Sequence, residues 1–470
     1  MLNAKTGNWY ENNKQRSRSN NSAIIVRSEI TKAEFDKVMT SVKEYGEPGF
    51  IFTESTEFTF NPCVEIGKLP QIDGVSGWQG CNLTELNGSM ATTKEEFFKM
   101  CRAGAILGTL QAGYTSFPFL GEISERIFRR EALLGVSITG WMNNPEVLFD
   151  EETLREGARI VKAVNKEVAE LIGINPAART TCVKPSGNAS VLLMTASGIH
   201  GEPAPRYLRI AQMNKESEVA QLLKEKNPYM VEESVWSENG TDFAIAFPVV
   251  APKSSIYVDK LLGVDLLEKV KFVQRTWIEE GTNPELCIDP RLRHNVSNTV
   301  QVEPDKWEEV ADYVYENRQY FAGISFLSTS GFRDYEQAPF TTVFSEQEIL
   351  DNYGLGALFG GGLVVEALRV FPTLWNAIST ARDPANSFQE RLDTQQEWIR
   401  KFRKFAKNYF EGDDRKAEYC LKDLYVLHRY TKIEQNYQTI DFATELESKK
   451  YTEVDTIGAI ACAGGACDIF

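Results

Sequence analysis

The stretch Asn61-Pro62-Cys63-Val64-Glu65-Ile66 places a thiol and a carboxylate two positions apart. In an extended chain or a tight loop, residues i and i+2 project to the same side. Pro62 fixes its own φ and restricts the residue before it, so the turn that presents Cys63 is stiff on its amino-terminal side. Such a pair is usually a buried cysteine beside a surface glutamate. The functional interpretation is a reactive sulfur and a general base that face one substrate.

A second thiol follows in Gly80-Cys81-Asn82-Leu83, 18 positions after Cys63. This separation is short enough for one hairpin to return the chain to the same place. We therefore predict that Cys81 shares the pocket of Cys63 and Glu65.

The composition limits the class of protein. At 470 residues the chain exceeds one ordinary core, so two or three domains or one large α/β barrel are expected. The net charge of −15 argues against a nucleic-acid polymer or an anionic membrane as partner. The amino terminus is polar and lacks a secretory signal, so the eight cysteines are expected to be largely reduced. We predict a cytoplasmic protein.

Strand and helix patterns alternate along the chain. Thr31-x-x-Glu34 and Thr93-x-x-Glu96 are capping signals for helices that end near Gly46 and Gly113. Strands are predicted at 23–26, 134–139, 180–183, 243–250, 295–302 and 323–327. Further helices are predicted at 151–172, 256–279, 305–319, 363–381, 387–410 and 415–428. This alternation favours a parallel α/β core.

The run Lys184-Pro185-Ser186-Gly187-Asn188 lies between a predicted strand and a predicted helix that begins near Ser190. A turn of small residues before a helix directs several backbone N–H groups at one point, where an anion is favoured. The plain alternative is an ordinary strand-to-helix turn, which this pattern alone does not exclude. The functional interpretation is a phosphate site.

The chain ends in a polar tail, from Gln438 onward, that has no helical period and carries Cys462-x4-Cys467. Glycines between the two thiols allow them to close into a disulfide at low strain. A zinc site would need two further ligands, and the tail has no histidine. We therefore predict a redox pair and no metal site.

Other motifs receive a structural interpretation. The run Gly354-Leu355-Gly356-Ala357-Leu358-Phe359-Gly360 resembles a dinucleotide fingerprint, but its last glycine comes one position late and no clear strand precedes it. The histidines His200, His294 and His428 are predicted to be structural. The cysteines Cys101, Cys182, Cys287 and Cys420 are predicted to be small core residues.

Together these motifs resemble those of the catalytic subunit of ribonucleotide reductases. The stretch 61–66 is similar to the family's radical-bearing finger loop, and Cys81-Asn82-Leu83 to its second active-site cysteine motif. The run 184–188 is similar to the loop that binds substrate phosphates, although Asn188 stands where the family usually has threonine. Further blocks that fit the family, in its order, lie at 197–200, 293–297, 323–327 and 337–339. The resemblance covers residues 10–470.

The resemblance implies an α/β fold, namely part of the ten-stranded α/β barrel of this family. The radical cysteine would lie on a finger loop inside the barrel, within a catalytic region at 1–437. A flexible redox tail would follow at 438–470. Cys63 would form a thiyl radical and take hydrogen from ribose C3′. Glu65 would accept the proton of the 3′-hydroxyl, and Asn61 would hydrogen-bond the ribose hydroxyls.

The resemblance assigns further roles. Cys81 would be one of two thiols that deliver reducing equivalents as the 2′-hydroxyl leaves as water. The substrate phosphates would be bound by Pro185, Ser186, Gly187 and Asn188, and Ser22 would also bind substrate. Cys462 and Cys467 would re-reduce the site, themselves reduced by a thioredoxin- or glutaredoxin-like protein.

The source of the radical is inferred by comparison with the family's types. Enzymes with a separate radical-generating subunit carry adjacent tyrosines, and no Tyr-Tyr dipeptide occurs in this sequence. The glycine loop and zinc-binding cysteines of the glycyl-radical type are also missing. The wording Asn-Pro-Cys of the finger loop agrees with the adenosylcobalamin-dependent type, which we therefore expect. A reductase with a separate radical-generating subunit is the alternative.

The family's other active-site cysteine lies well upstream of the radical cysteine, whereas Cys63 is the first cysteine here. We therefore expect the carboxyl-terminal part of a split or truncated reductase, completed by a chain that supplies the amino-terminal half. An unpaired sheet edge would then await that chain. The rival interpretations are an inactive remnant that only binds a partner, and a generic dithiol oxidoreductase.

Overall fold

The computed structural model describes residues 4–13, 15–16, 19, 21–237, 240–329, 333, 337–354 and 387–447. These residues form two compact units. The first unit runs to Glu202 and resumes over 251–329. The second unit takes 203–250 and the described residues from Arg333 onward.

The strands of both units are numbered in chain order. They are β1 (Ser22–Val26), β2 (Gly49–Thr53), β3 (Thr59–Phe60), β4 (Gly67–Lys68), β5 (Gln71–Ile72), β6 (Val75–Ser76), β7 (Asn82–Asn87), β8 (Leu134–Thr139), β9 (Arg206–Asn214), β10 (Val231–Glu233), β11 (Asp242–Val250), β12 (Thr299–Val302), β13 (Gly323–Ser328) and β14 (Phe340–Thr342).

The α-helices are numbered in the same way. They are α1 (Trp9–Asn12), α2 (Lys32–Tyr45), α3 (Lys94–Ala112), α4 (Gly121–Glu131), α5 (Pro145–Leu148), α6 (Glu151–Ile172), α7 (Gly187–Leu192), α8 (Glu218–Lys226), α9 (Val264–Val273), α10 (Trp307–Glu316), α11 (Glu346–Tyr353), α12 (Ser387–Tyr409), α13 (Asp414–Asn436) and α14 (Phe442–Glu447).

A row of strands organises the first unit. β7 pairs in parallel with β8, and parallel bridges connect β8 to the extended segment 180–183 and that segment to Val296. The chain continues from Val296 into β12, which is parallel to β13. β13 is antiparallel to β2, and β2 is parallel to β1. The predicted parallel α/β core is therefore present, with one antiparallel junction at β2–β13.

The row is open in the part of the chain that the structure describes, since no pairing there joins β1 to β7. No closed barrel is seen among these strands, and their membership of a ten-stranded barrel stays a prediction. The predicted strand at 23–26 is present as β1, at one end of the row, and Ile24 within it is 55% exposed. Strand β1 lies at the edge of the row, and its outer face is not covered by the described residues.

Helices α3 and α6 cover one face of the row. They pack on each other, and α3 packs on β7 and β8. A Cβ at Gly104 would lie 2.7 Å from Leu86 Cδ2, so the small residue allows the helix to approach the strand closely. All six residues of β8 are buried, because the strand has a neighbour on each side and helices above it.

The starts of α2 and α3 follow the predicted capping signals. Thr31 and Glu34 form a capping box at the start of α2, and Gly46 ends the helix with φ of 71°. The hydroxyl of Thr93 accepts a hydrogen bond from the Glu96 N–H at the start of α3. The predicted helix at 151–172 is confirmed as α6. The sequence did not predict α4.

The helix predicted at 256–279 is wrong over its first turns. The backbone N–H groups of Ile256 and Val258 donate hydrogen bonds to the carbonyl groups of Met142 and Glu202. These bonds replace the ones that a helix would make in this segment. Gly263 then turns the chain at φ of 52°, and α9 begins only after it. A π-helical turn, Gln274–Ile278, completes the helix.

The second unit is built on an antiparallel sheet, which the alternating pattern did not predict. Its strand order is β10-β11-β9-β14, and the nine residues of β11 pair antiparallel with those of β9. The apolar residues of this sheet pack with α8 and α13. Predicted helices at 387–410 and 415–428 are present as α12 and the longer α13.

The segment from Gln438 differs from its prediction where it is described. Its residues do include a helix, α14, and the Gln438 N–H donates to the Asn227 side chain at 2.7 Å. Asp441 receives the Thr444 N–H at the start of that helix, a local cap that overrides the weak apolar period. The predicted helix at 363–381 and the pair Cys462 and Cys467 lie outside the described residues. The division at 437/438 therefore stays a prediction.

Among the described residues, no helix combines the length and apolar character required to cross a bilayer.

Candidate active site

The Cys63 loop is the tip of a two-stranded hairpin formed by β3 and β4. Asn61 closes the tip twice. Its carbonyl accepts the Val64 N–H at 2.9 Å, and its side-chain Oδ1 accepts the Ile66 N–H at 3.0 Å. The side-chain oxygen of Asn61 is thus already used within the loop. Its contact with ribose stays a prediction.

Val64, between the two functional side chains, has φ of 64°. A β-branched residue rarely adopts this left-handed conformation, and holding it there costs about 1–3 kcal/mol. The side chain of Val64 packs on Gly323 at the start of β13, where a Cβ would lie 2.7 Å from Val64 Cγ1. Only glycine at 323 leaves room for this packing.

The segment 294–297 holds the loop against the row of strands. The Ser297 hydroxyl donates to the Cys63 carbonyl at 2.6 Å, and the Asn295 N–H donates to the Glu65 carbonyl at 2.9 Å. The buried His294 accepts the Gly67 N–H through Nδ1 at 3.3 Å, so its Nε2–H donates to the Leu134 carbonyl at 2.9 Å.

Burial lowers the pKa of His294 well below its ordinary value, with Arg179 acting in the same direction. His200 is arranged similarly, because its Nε2 accepts the Thr299 N–H and its Nδ1–H then donates to the Ser197 carbonyl. Both rings are neutral structural connectors, as the sequence analysis predicts for these two histidines.

Glu65 is fully buried, and neither carboxylate oxygen has a hydrogen-bond partner among the described residues. The nearest cation is Lys184, whose Nζ lies 3.5 Å from Glu65 Oε1. The same Nζ lies 3.8 Å from Cys63 Sγ. One ammonium therefore contacts both functional groups of the loop.

The protonation of Lys184 follows from its surroundings. Burial disfavours the charged form, but Glu65 and then Cys63 outweigh burial and raise the pKa of the lysine. Lys184 thus remains a cation at neutral pH. Sequence analysis included Lys184 in the phosphate-binding run 184–188 but did not predict its contact with Cys63 and Glu65.

Cys81 is half-buried beside the same carboxylate. Burial is the main cause that raises the pKa of its thiol, and the negative charge of Glu65 raises it further, against the opposing effects of Arg179 and Lys68. Cys81 is therefore a protonated thiol at neutral pH. It packs on a small buried cluster that contains Ile66 and Cys182.

The turn 185–188 follows the segment 180–183 as predicted, but helix α7 begins at Gly187, three residues before the start predicted near Ser190. The Lys184 N–H donates to Ser137 Oγ at 3.0 Å, and the Ser197 hydroxyl donates to the Ser186 carbonyl at 3.0 Å. Gly187 and Asn188 are exposed, and no atom lies within 4 Å of a Cβ built on Gly187. The turn thus has fixed ends and an open centre.

Two polar groups lie at this turn: Ser186, which the resemblance assigns to phosphate binding, and Glu85, which was not predicted. The Ser186 hydroxyl is buried. Glu85 of β7 accepts a hydrogen bond from the Ser137 hydroxyl at 2.9 Å. The strand period was a usable signal for Glu85, because residues 81, 83 and 85 project to one side of β7.

The other predicted site residues lie elsewhere or are not described. Ser22 is the first residue of β1, opposite Gly49 of β2, and its role in substrate binding stays a prediction. Of the cysteines assigned to the core, Cys101, Cys182 and Cys420 are buried, whereas Cys287 is half-buried.

Comparison with known proteins points to one family. No family model matches the chain. Curated relatives include a probable adenosylcobalamin-dependent ribonucleoside-triphosphate reductase of Dictyostelium discoideum, 24% identical over 66% of this chain and 40% of its own length. The adenosylcobalamin-dependent ribonucleoside-triphosphate reductase of Levilactobacillus brevis is 23% identical over 68% of this chain and 46% of its own length.

The same name belongs to a relative from Euglena gracilis, 23% identical over 65% of this chain and 41% of its own length. Among solved structures, a B12-dependent (class II) ribonucleotide reductase aligns with a TM-score of 0.57 and 17% identity, over 72% of this chain and 50% of the other. The fold is therefore of the ribonucleotide reductase type. The chain spans less than half the length of these three curated relatives.

Proposed function

We propose that this chain is the carboxyl-terminal part of an adenosylcobalamin-dependent ribonucleotide reductase, which converts ribonucleoside triphosphates to 2′-deoxyribonucleotides. One observation carries the proposal. The Lys184 ammonium lies 3.8 Å from Cys63 Sγ and 3.5 Å from Glu65 Oε1. Because Lys184 directly precedes Pro185, the thiol and the carboxylate lie next to the start of the 185–188 turn. The names of the three curated relatives support the choice of reaction and substrate.

In the proposed reaction Cys63 acts as a thiyl radical and takes the hydrogen atom from ribose C3′. Glu65 accepts the proton of the 3′-hydroxyl, a general-base contribution of about 10²–10⁴-fold. Both oxygens of Glu65 lack hydrogen-bond partners among the described residues, so they are available to that hydroxyl. The Lys184 ammonium, 3.5 Å from Glu65 Oε1, is the cation that contacts this carboxylate.

The remaining groups bind and reduce the substrate. Cys81 is a protonated thiol, so it delivers hydrogen to the sugar as the 2′-hydroxyl leaves as water. Asn61 holds the ribose hydroxyls through the part of its amide that does not close the loop. The phosphates lie on the backbone of Pro185, Ser186, Gly187 and Asn188, over the open centre of that turn.

The cofactor fits the site through Cys63. The thiol is half-buried and follows the exposed Pro62, so its sulfur can be reached from outside the loop. Apolar side chains just after the turn are strongly exposed, Leu192 by 82% and Met194 by 84%, and these would lie against the macrocycle. When bound, adenosylcobalamin supplies the radical that oxidises Cys63.

The proposal includes further polypeptide, either as a longer form of this chain or as a separate amino-terminal-half chain. That polypeptide would close the open row into the ten-stranded barrel and would supply the second reducing thiol. A cytoplasmic thioredoxin- or glutaredoxin-like protein would restore the thiols through Cys462 and Cys467 of the tail 438–470.

The direct test is turnover. The 470-residue chain, mixed with the polypeptide that matches the upstream half of the relatives, is given CTP, adenosylcobalamin and dithiothreitol. We expect dCTP to form only when all components are present, with a thiyl-coupled signal in electron paramagnetic resonance. Product without adenosylcobalamin would contradict the choice of cofactor. Absence of product from the complete mixture would contradict the function.

The tail is tested by the choice of reductant. Cys462→Ser should abolish turnover driven by thioredoxin and spare turnover driven by dithiothreitol, because a small dithiol reaches the site without the tail. The parent chain assayed with both reductants is the control. Equal loss with both reductants would contradict the shuttle.

A further inference from the structure

The site contains a second carboxyl group, Glu85, that the proposed reaction does not use. Its partner Ser137 is fixed in direction. The Ser137 oxygen accepts the Lys184 N–H at 3.0 Å, so the Ser137 proton is directed at Glu85 Oε1, 2.9 Å away. Glu85 is thereby connected, through one hydroxyl, to the first residue of the phosphate turn.

Glu85 also lies beside the interior of that turn. The buried Ser186 hydroxyl acts on the Glu85 carboxyl in the sense of a hydrogen bond and lowers its pKa. A phosphate group on the turn would therefore approach Glu85 closely. Two negative charges at short range in a half-buried site repel each other strongly.

The charged groups around Glu85 do not neutralise it. Lys184 is the cation that acts on it, but the Lys184 ammonium is in contact with Glu65 and Cys63. Glu65 adds a second negative charge, and the thiol of Cys182 is neutral because burial raises its pKa well above the ordinary value. A bound phosphate would add negative charge beside Lys184, whose ammonium is already shared by Glu65 and Cys63.

Burial is the main cause that raises the pKa of Glu85 to about 7, against the lowering effects of Ser137, Lys184 and Ser186. The carboxyl group is therefore poised to change its charge near neutral pH. Carboxylic acids kept neutral by their surroundings act as hydrogen-bond donors in other active sites.

We propose that Glu85 is a positioning residue that binds one proton from water whenever nucleotide phosphate occupies the turn, and then donates a hydrogen bond toward that phosphate. Substrate affinity is thereby coupled to pH. This inference depends on the proposed function, because it requires phosphate on the 185–188 turn.

The test is calorimetric titration of the 470-residue chain with CTP, and with inorganic triphosphate as a phosphate-only probe. Titrations at pH 8 in buffers of different ionisation enthalpy count the protons taken up. At this pH the terminal phosphate, whose pKa is near that of phosphate monoesters at about 6, is already ionised. We expect uptake of close to one proton, and a Kd that rises about tenfold per pH unit from pH 8 to 9.

Glu85→Gln keeps an oxygen acceptor for Ser137 but cannot ionise. We expect this variant to bind CTP without proton uptake, with a flat pH profile and with about tenfold higher affinity than the parent at pH 8. Glu167→Gln, at an exposed carboxylate paired with Arg102, is the matched control and should behave as the parent.

The outcomes separate the two claims. If CTP binds and both the parent and Glu85→Gln take up the same number of protons, the Glu85 inference is wrong and the proposed function stands. If the parent binds CTP without taking up a proton, the Glu85 inference is also wrong and the proposed function stands. If neither CTP nor inorganic triphosphate binds to the parent, the phosphate turn is wrong, and the Glu85 inference and the proposed function fail together.

Discussion

Two glutamates of the first unit are equally buried and have opposite surroundings. Glu131, at the end of α4, is 1% exposed, and Glu65 is 0% exposed. Glu131 Oε1 receives Arg179 Nη2 at 3.1 Å and the Ile288 N–H at 3.3 Å. Its Oε2 receives Gln79 Nε2 at 3.0 Å and Arg130 Nη2 at 3.3 Å.

Glu65 has no hydrogen-bond donor among the described residues, only the Lys184 ammonium at 3.5 Å. Burying a carboxylate is costly unless donors replace the lost water. At Glu131 the protein supplies those donors, so this carboxylate stabilises the fold. No described residue donates a hydrogen bond to Glu65, and in the proposed function a substrate hydroxyl takes that place. The comparison therefore contrasts a structural carboxylate with one that we propose is catalytic.

The largest expected effect is at the neighbour of Glu65. Cys63→Ser should abolish product formation, because a hydroxyl does not replace the thiol as a source of the radical. The Kd for CTP should stay within about twofold, since the phosphate turn is unchanged. Turnover and binding are measured on the same preparation, with Cys420→Ser in the second unit as the control. Normal turnover in Cys63→Ser would remove the basis for assigning Glu65 to catalysis.

The next prediction concerns Glu65→Gln, which tests whether Glu65 differs in role from Glu131. Glu65→Gln should lower turnover by about 10²–10⁴-fold, the range for loss of a general base. The free energy of unfolding should change by less than about 1 kcal/mol, because a buried charge without hydrogen bonds stabilises little. Chemical denaturation and single-turnover assays measure both. A large loss of stability would indicate that Glu65 is structural after all.

Glu131→Gln should lower the stability of the protein and leave turnover nearly unchanged, the reverse of Glu65→Gln. Removal of the charge leaves the fully buried Arg179 without its ion pair, so the free energy of unfolding should fall by about 3–5 kcal/mol. Turnover per folded molecule should stay near that of the parent at a temperature where the variant is folded. If Glu131→Gln lost turnover while it kept its stability, the distinction between the two glutamates would be wrong.

The smallest expected change in stability is at a more exposed carboxylate, Asp150. Asp150 caps α6 by accepting the Thr153 N–H, and hydrogen bonds to Thr153 lower its pKa to about 2. Asp150→Ala should lower the free energy of unfolding by about 0.5–2 kcal/mol at pH 7.

The sign of the pH dependence follows from the lowered pKa. The contribution of Asp150 is present above the ordinary carboxyl value near pH 4 and is lost as the pH falls toward 2. Parent and Asp150→Ala should therefore converge in stability over that interval when chemical denaturation is repeated at each pH. A constant difference between them would mean that the cap does not depend on the charge.

The sequence predicted what depends on neighbours along the chain. The loop at 61–66, the capped starts of α2 and α3 and the turn after 180–183 all follow from short patterns. The contact of Lys184 with Cys63 does not, because those residues are 121 positions apart and meet only through strand pairing. Local spacing carries no information about such pairing.

The errors have the same origin. The segment 256–263 has an apolar period that suits a helix, but distant backbone groups at Met142 and Glu202 bind its N–H groups instead. The antiparallel sheet of the second unit depends on β9, which was not predicted. The surroundings of Glu65 and Glu131 could not be distinguished from the sequence, since the donors to Glu131 come from four separate segments.

The left-handed φ of Val64 stores conformational strain in the loop that carries Cys63. Glycine at this position would adopt the same φ without strain, yet it would also give up the side chain that seats the loop on Gly323. The protein therefore accepts a conformational penalty in return for a fixed separation between sulfur and carboxylate. If Cys63 forms the radical that we propose, the same rigid loop would keep that radical away from the protein's other side chains.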